Sequence, residues 1–142
     1  MTHAILNTHP TPRVAIIILN WNGWKDTLEC LESLLAISYP TFDIIVFDNG
    51  SVDESIKRIK EYTRGESTIN SKFFEYNSHN KPIKLIEFTT EKSQTIHPDE
   101  KELSKSLSKK GLILIKNKTN LGFTDGNNMA MLFALHALKS QY

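Results

Sequence analysis

Cysteine is nearly missing from this chain of 142 residues. Cys30 stands alone, so neither an internal disulfide nor a cysteine-built zinc site is available. That removes the disulfide-scaffold and zinc-finger classes and makes a reducing compartment the default. A charge excess of either sign is also missing, since 17 basic and 16 acidic residues leave a formal net charge of +1. Polyanion-binding modules carry a basic surplus on one face, so no nucleic-acid partner is expected. Long apolar runs are missing too: the longest, Val14 to Leu19 and Met129 to Leu135, fall far short of the roughly 20 residues that cross a bilayer. Residues 1–12 lack the basic and apolar regions of a signal peptide and read as a flexible lead-in. Neither a G-x-G-x-x-G nor a G-x-x-x-x-G-K-[ST] loop occurs, which disfavours a classical dinucleotide site, with the oxidoreductase it would serve, and a P-loop. The five histidines are scattered, with no pair at metal-ligand spacing. What remains is a mixed composition, 39% hydrophobic and 23% charged, suited to one globular domain.

Val14 to Leu19 is a β-branched apolar run that stops at Asn20-Trp21-Asn22-Gly23, the pattern of a strand buried on both faces in a parallel sheet. From Trp24 the period changes. Leu28, Leu31, Leu34 and Leu35 continue at helical spacing, while Lys25, Asp26, Glu29, Glu32 and Ser33 take the side expected to face solvent. Pro40 ends that helix, and Asp43 to Asp48 forms a second strand closed by Asn49-Gly50. Ser51 and Glu54 have capping-box spacing ahead of a helix carrying Ile56, Ile59 and Tyr62. This βαβα order calls for parallel strands. Residues 64–110 hold only eleven apolar residues in 47 and read as a polar insertion, with one further strand expected within Pro82 to Thr90. Leu112 to Ile115 is another buried strand. Asn127 is expected to open a last helix, with Met129, Leu132, Phe133, Ala137 and His136 toward the core. Cys30 is expected to fill space on the first helix.

Parallel strands place three polar turns along one sheet edge: Asn20 to Gly23, Asp48 to Ser51, and Asn120 to Asn128. Open α/β sheets bind ligands beyond the carboxyl ends of their strands. Asp48 is suited to accept hydrogen bonds from a ribose or base, or to close an Asx-turn; Trp21 is suited to stack on a base, or to lid the core. Asp53 favours a helix N-terminus with or without a ligand. Gly122 and Gly126 indicate close backbone approach or ordinary turns.

Val14 to Gly23, Ile45 to Asp53, and Asn120 to Phe123 with Gly126, Asn127 and Asn128 resemble the opening half of a family 2 glycosyltransferase, closest to its rhamnosyltransferase-like branch. The likeness covers residues 13–61 and 112–138. It implies an α/β, Rossmann-like GT-A nucleotide-diphospho-sugar transferase fold, a mostly parallel sheet flanked by helices, truncated within residues 13–142. It implies that Asn20, Trp21 and Asn22 contact base or ribose, that Asp48 hydrogen-bonds the base, and that Asn49 and Asp53 support the pocket. Asn120, Gly122, Gly126 and Asn127 would approach the nucleotide or sugar from the third loop. The implied reaction transfers a sugar from a nucleotide-sugar donor to an acceptor hydroxyl, typically with inversion, with a divalent cation (Mg or Mn) neutralising the departing diphosphate. No D-x-D occurs among this chain's aspartates, so the metal ligands and the catalytic base are expected beyond residue 142. The chain then reads as the donor-nucleotide-binding half, inactive alone, in a cytoplasmic or membrane-associated full-length enzyme. A non-catalytic nucleotide-binding or interaction module derived from that fold is the alternative. An unpaired edge in such a sheet leads to an expected homo-oligomer.

Overall fold

The computed structural model describes residues 11–95, 103 and 111–138. Four strands, β1 (Val14–Asn20), β2 (Phe42–Asn49), β3 (Leu85–Thr89) and β4 (Leu112–Asn117), form one sheet in the order β1-β2-β4-β3. Every pairing is parallel. The helices are α1 (Trp24–Leu35), α2 (Ser55–Arg64), the short α3 (Thr90–Thr95) and α4 (Gly122–Ala137).

Strand alternation divides the apolar residues between two cores. Ile45, Phe47, Ile113 and Ile115 face α4, while Ile44, Val46, Leu112 and Leu114 face α1 and α2. Both faces of β2 are therefore covered, and all eight of its residues are buried. Each buried aliphatic or aromatic side chain contributes about 1.5–3 kcal/mol, which makes β2 the spine of the domain. Arg13 fastens the start of β1 to it, donating from Nε and a terminal nitrogen to the buried Asp43 carboxylate at 2.6 and 2.9 Å. That hydrogen bond holds the Arg13 guanidinium above its usual range.

Several expectations need correction. β1 is only partly buried before Asn20, because β2 is its one strand neighbour among the described residues. The capping box does not form: Glu54 makes no side-chain cap, Asp53 Oδ1 accepts from Ser55 N at 2.9 Å instead, and Ser51 is engaged elsewhere. The last helix opens at Gly122, one turn before Asn127. Leu132 and His136 are exposed, since Gly126, Ala130, Phe133, Ala134 and Ala137 supply the face that meets the sheet. Cys30 is exposed as well. Of the polar insertion expected over residues 64–110, residues 96–102 and 104–110 lie outside the described residues.

Glu32, expected to face solvent, is buried. Its carboxylate accepts from Tyr62 Oη at 2.5 Å, Asn77 N at 2.8 Å and Lys81 Nζ at 2.8 Å. Lys81 also donates to Asn77 O and Asn80 Oδ1, and its ammonium lies 4.7 and 4.6 Å from the ring centres of Tyr62 and Tyr76. Both charged side chains are only 3% exposed. Burial alone would push the Glu32 carboxyl up. The donations from Lys81, Tyr62 and Asn77 outweigh it and hold the group below its usual value. Burial, followed by the bond to Glu32, pushes the Tyr62 hydroxyl far up. This network ties the segment between α2 and β3 to α1 and α2.

Candidate functional site

Parallel strands bring three loops to the carboxyl edge of the sheet: residues 20–23 after β1, 48–54 after β2, and 117–122 after β4. Asn20, the last residue of β1, lies beside Asp48 in the parallel register. Its Nδ2 donates to Asp48 Oδ1 at 2.7 Å and to Ser51 Oγ at 3.1 Å, while Thr27 Oγ1 donates to its Oδ1 at 2.7 Å. Ser51 in turn donates its hydroxyl to Asp48 Oδ1 and its N–H to Asp48 Oδ2. Asp48 is only 2% exposed and its oxygens accept from Asn20 and Ser51, so it holds the loops from beneath.

Asn22 completes the first bridge. Its backbone has φ of 50°, its N–H donates to Ser51 Oγ, and its Oδ1 accepts from Val52 N and Asp53 N at 2.9 and 3.3 Å. A left-handed backbone is tolerated by asparagine better than by most residues. Here it turns the amide toward the second loop.

A second bridge joins the second and third loops. Asn49 Nδ2 donates to Asn120 Oδ1 at 2.9 Å and to Gly122 O at 3.0 Å, and Asn49 Oδ1 accepts from Leu121 N at 2.9 Å. Asn120 Oδ1 also accepts from Gly122 N. Backbone packing reinforces the bridge: at Gly50, with φ of 76°, an added Cβ would lie 2.6 Å from Thr119 C. At Gly126 it would lie 2.8 Å from Leu19 Cδ1 and 3.3 Å from Asn49 Nδ2.

All ten residues expected at the site lie along this edge, in different situations. Asn20, Asp48 and Asn49 are buried and hold the loops. Trp21, Asn22, Asp53 and Asn120 form an exposed rim, with Trp21 56% exposed. Asp53 caps α2 as well. Gly122 and Gly126 line the base of the third loop and the start of α4. Asn127 joins neither bridge, because its Nδ2 donates to Phe123 O within α4. Sequence reasoning missed Ser51 as a hub and Thr27 altogether; the Asn20-to-Thr27 spacing, one helical turn past the first loop, was the only available signal.

A divalent cation does not fit the residues described. Among them no three His, Cys, Asp or Glu side chains converge, and the nearest candidate, Asp48, has its oxygens occupied by Asn20 and Ser51. No helix among the described residues is long and apolar enough to cross a membrane.

An open parallel sheet with helices on both faces, and polar loops stitched together beyond its carboxyl ends, defines the Rossmann-like α/β class. The family model "Glycosyl transferase family 2" matches residues 15–86, half of the chain, and the chain belongs to that family. The match includes the first two loops, continues into the polar segment after α2, and stops before the third. No curated protein and no solved structure gives a significant match. The four-stranded arrangement agrees with the Rossmann-like GT-A fold expected from the sequence.

Proposed function

We propose that the three bridged loops bind the nucleotide of a nucleotide-sugar donor, so that this chain supplies the donor side of a sugar transfer to an acceptor hydroxyl. The observation that carries this reading is the pair of bridges, Asn20–Asp48–Ser51–Asn22 and Asn49–Asn120–Gly122, which fixes three loops at the edge where open α/β sheets bind ligands. Trp21 offers its exposed ring face to a base. The amide of Asn120 and the carboxylate of Asp53 offer polar contacts to the nucleoside or sugar. Asp48 and Asn49 act as positioning residues. Family membership supports the class of reaction.

Calorimetric titration with dTDP, UDP, GDP and CDP tests the proposal. One of the four is expected to bind, and Trp21→Ala is expected to weaken it by about 1–3 kcal/mol, the range for base stacking on an aromatic ring, or at least about fivefold in Kd. Asp48→Ala should abolish binding by releasing the first and second loops. Equal heats from wild type and both variants would rule out a base pocket at this edge.

A further inference from the structure

Between α1, α2 and the segment that follows α2, the chain encloses a cavity of about 270 Å³. Its apolar lining is Trp24, Leu28 and Ile69, which pack with the core on that face of the sheet. Leu103, by contrast, packs with Phe133 and Ala137 on the opposite face. Polar walls come from three elements. Lys25 and Glu29 stand on α1, Arg58 on α2, and residues 67–70 close the third side. Ser71 donates to the Glu29 carboxylate and ties that segment to α1. None of Asn20, Asp48, Asn49 and Asn120, which bridge the loops, lines this cavity.

The walls hold more polar groups than they satisfy. Arg58 Nε and Ser67 Oγ are closed to solvent and have no hydrogen-bond partner among the described residues. Leaving such groups unpaired costs stability, so native structures seldom do it. Lys25 and Asn70, both exposed, are engaged by no hydrogen bond or ion pair among the described residues. The Lys25 ammonium rests 5.5 Å from the centre of the Trp24 ring, and the Arg58 guanidinium 5.2 Å from it. Charge is balanced. Lys25 is matched in sign by Glu29, while Arg58 and Lys57 are paired with Glu54 and Glu61. Asp26 is not among the walls. Nothing there favours a free ion of either sign.

We propose that this cavity binds a neutral saccharide unit. A sugar hydroxyl both donates and accepts, so one ring can accept from Arg58 Nε, Ser67 and Lys25 and donate to Glu29 or Asn70. Its C–H groups then lie against the apolar lining, the usual division of labour in a small-molecule site. A purely apolar ligand would leave the two buried groups unpaired, and a charged one would upset the balance of the walls. The volume takes one pyranose ring with its hydroxyls and excludes a long chain. Because Arg58 Nε and Ser67 Oγ are covered, the ligand must displace residues 67–70 to reach them; Thr68 and Asn70 in that stretch are exposed.

Nuclear magnetic resonance of the nitrogen-labelled 142-residue chain, titrated with glucose, galactose, mannose and maltose, tests it. Saturable shifts are expected at the Arg58 Nε–H, the Trp24 indole N–H and the amides of residues 67–70, with the three bridged loops unmoved. Tighter binding of maltose than of glucose would assign the cavity to the end of a sugar chain, and equal binding to a single ring. Ser67→Ala/Asn70→Ala removes two unengaged polar groups, so the urea midpoint should hold while the Kd for the bound sugar rises at least about fivefold. Unchanged binding by that variant excludes this location, as do shifts confined to the three loops. An equal response to glycerol would reveal a solvent effect, and a response to octanoate alone a site for an acid; either overturns the proposal. Silence from all four sugars overturns it too. Neither loop bridge is altered, so the nucleotide titrations stand or fall separately.

Discussion

Lys81→Met is expected to cost the fold about 3–5 kcal/mol, the range observed when one member of a buried ion pair is removed and the other charge is left uncompensated. The Glu32 carboxylate has no alternative cation in the network, and its other donors, Tyr62 Oη and Asn77 N, are already engaged. A domain of this size is stabilised by only about 5–15 kcal/mol in total, so the loss should be plain as a lower urea midpoint. Adding Glu32→Gln should recover part of it, because the amide oxygen still accepts from Tyr62 while the stranded charge is gone. The pH dependence carries a signed check. In the wild type the Glu32 carboxyl is held below its usual value of 4.5, so its stabilising contribution is complete above that pH and is lost as pH falls through the lower folded value. Without Lys81, both of its lowering contributions are gone while burial remains, so the folded value of the group rises; the penalty of losing Lys81 is then largest at neutral pH and is relieved by acid. The gap between wild type and Lys81→Met should narrow from pH 7 to pH 4. A constant gap would show that Glu32 is not ionised in the folded protein.

Gly50→Ala is the second large effect, expected at about 2–5 kcal/mol. Left-handed backbone costs an L-residue about 1–2 kcal/mol, and moving a packed neighbour adds about 1–3. The neighbour here is the backbone of Thr119 and Asn120, which cannot rotate aside as a side chain could. Gly122→Ala provides the control: its φ is 81°, yet nothing lies within 4 Å of the added carbon, so only the conformational cost applies. The difference between the two variants in denaturant unfolding isolates the contact between the second and third loops. Gly50→Ala should also shift the amide resonances of Leu121 and Gly122, whose N–H groups bond Asn49 and Asn120. Equal costs for the two variants would mean that the loops do not touch at Gly50.

The elements legible in the sequence were those with an unambiguous period. β2 and β4 are apolar runs closed by turn residues, and Trp24, Leu28 and Leu31 repeat at helical spacing. The parallel order followed from the βαβ alternation, and with it the gathering of three polar turns on one edge. Side-chain destinations set over long sequence distances were not legible. Glu32 lies 49 residues from Lys81, and nothing local distinguishes it from the half-buried Glu29 and the exposed Ser33 around it. Ser51 carries a capping-box spacing that is genuine as a pattern, but Asp48 and Asn20 compete for its hydroxyl and win, because both are fixed at strand ends before α2 begins. Leu132 looked like core because it is apolar; small residues at Gly126, Ala130, Ala134 and Ala137 instead let α4 approach the sheet on a narrower face.

The strand order also sets a schedule. β3 precedes β4 in the chain, yet its neighbour in the sheet is β4, which also fills the place beside β2. As the polypeptide leaves the ribosome, β1 and β2 can join while β3 emerges with nothing to bind. From Thr89 to Asn117 the chain grows by 28 residues, which at about 5–20 residues per second leaves β3 waiting for roughly one to six seconds. Because β4 is the strand beside both β2 and β3, its arrival is what lets β3 join the sheet. The stretch that separates β3 from β4 in the sequence is polar and holds four serines, a composition that favours hydration over burial while β4 is still unmade.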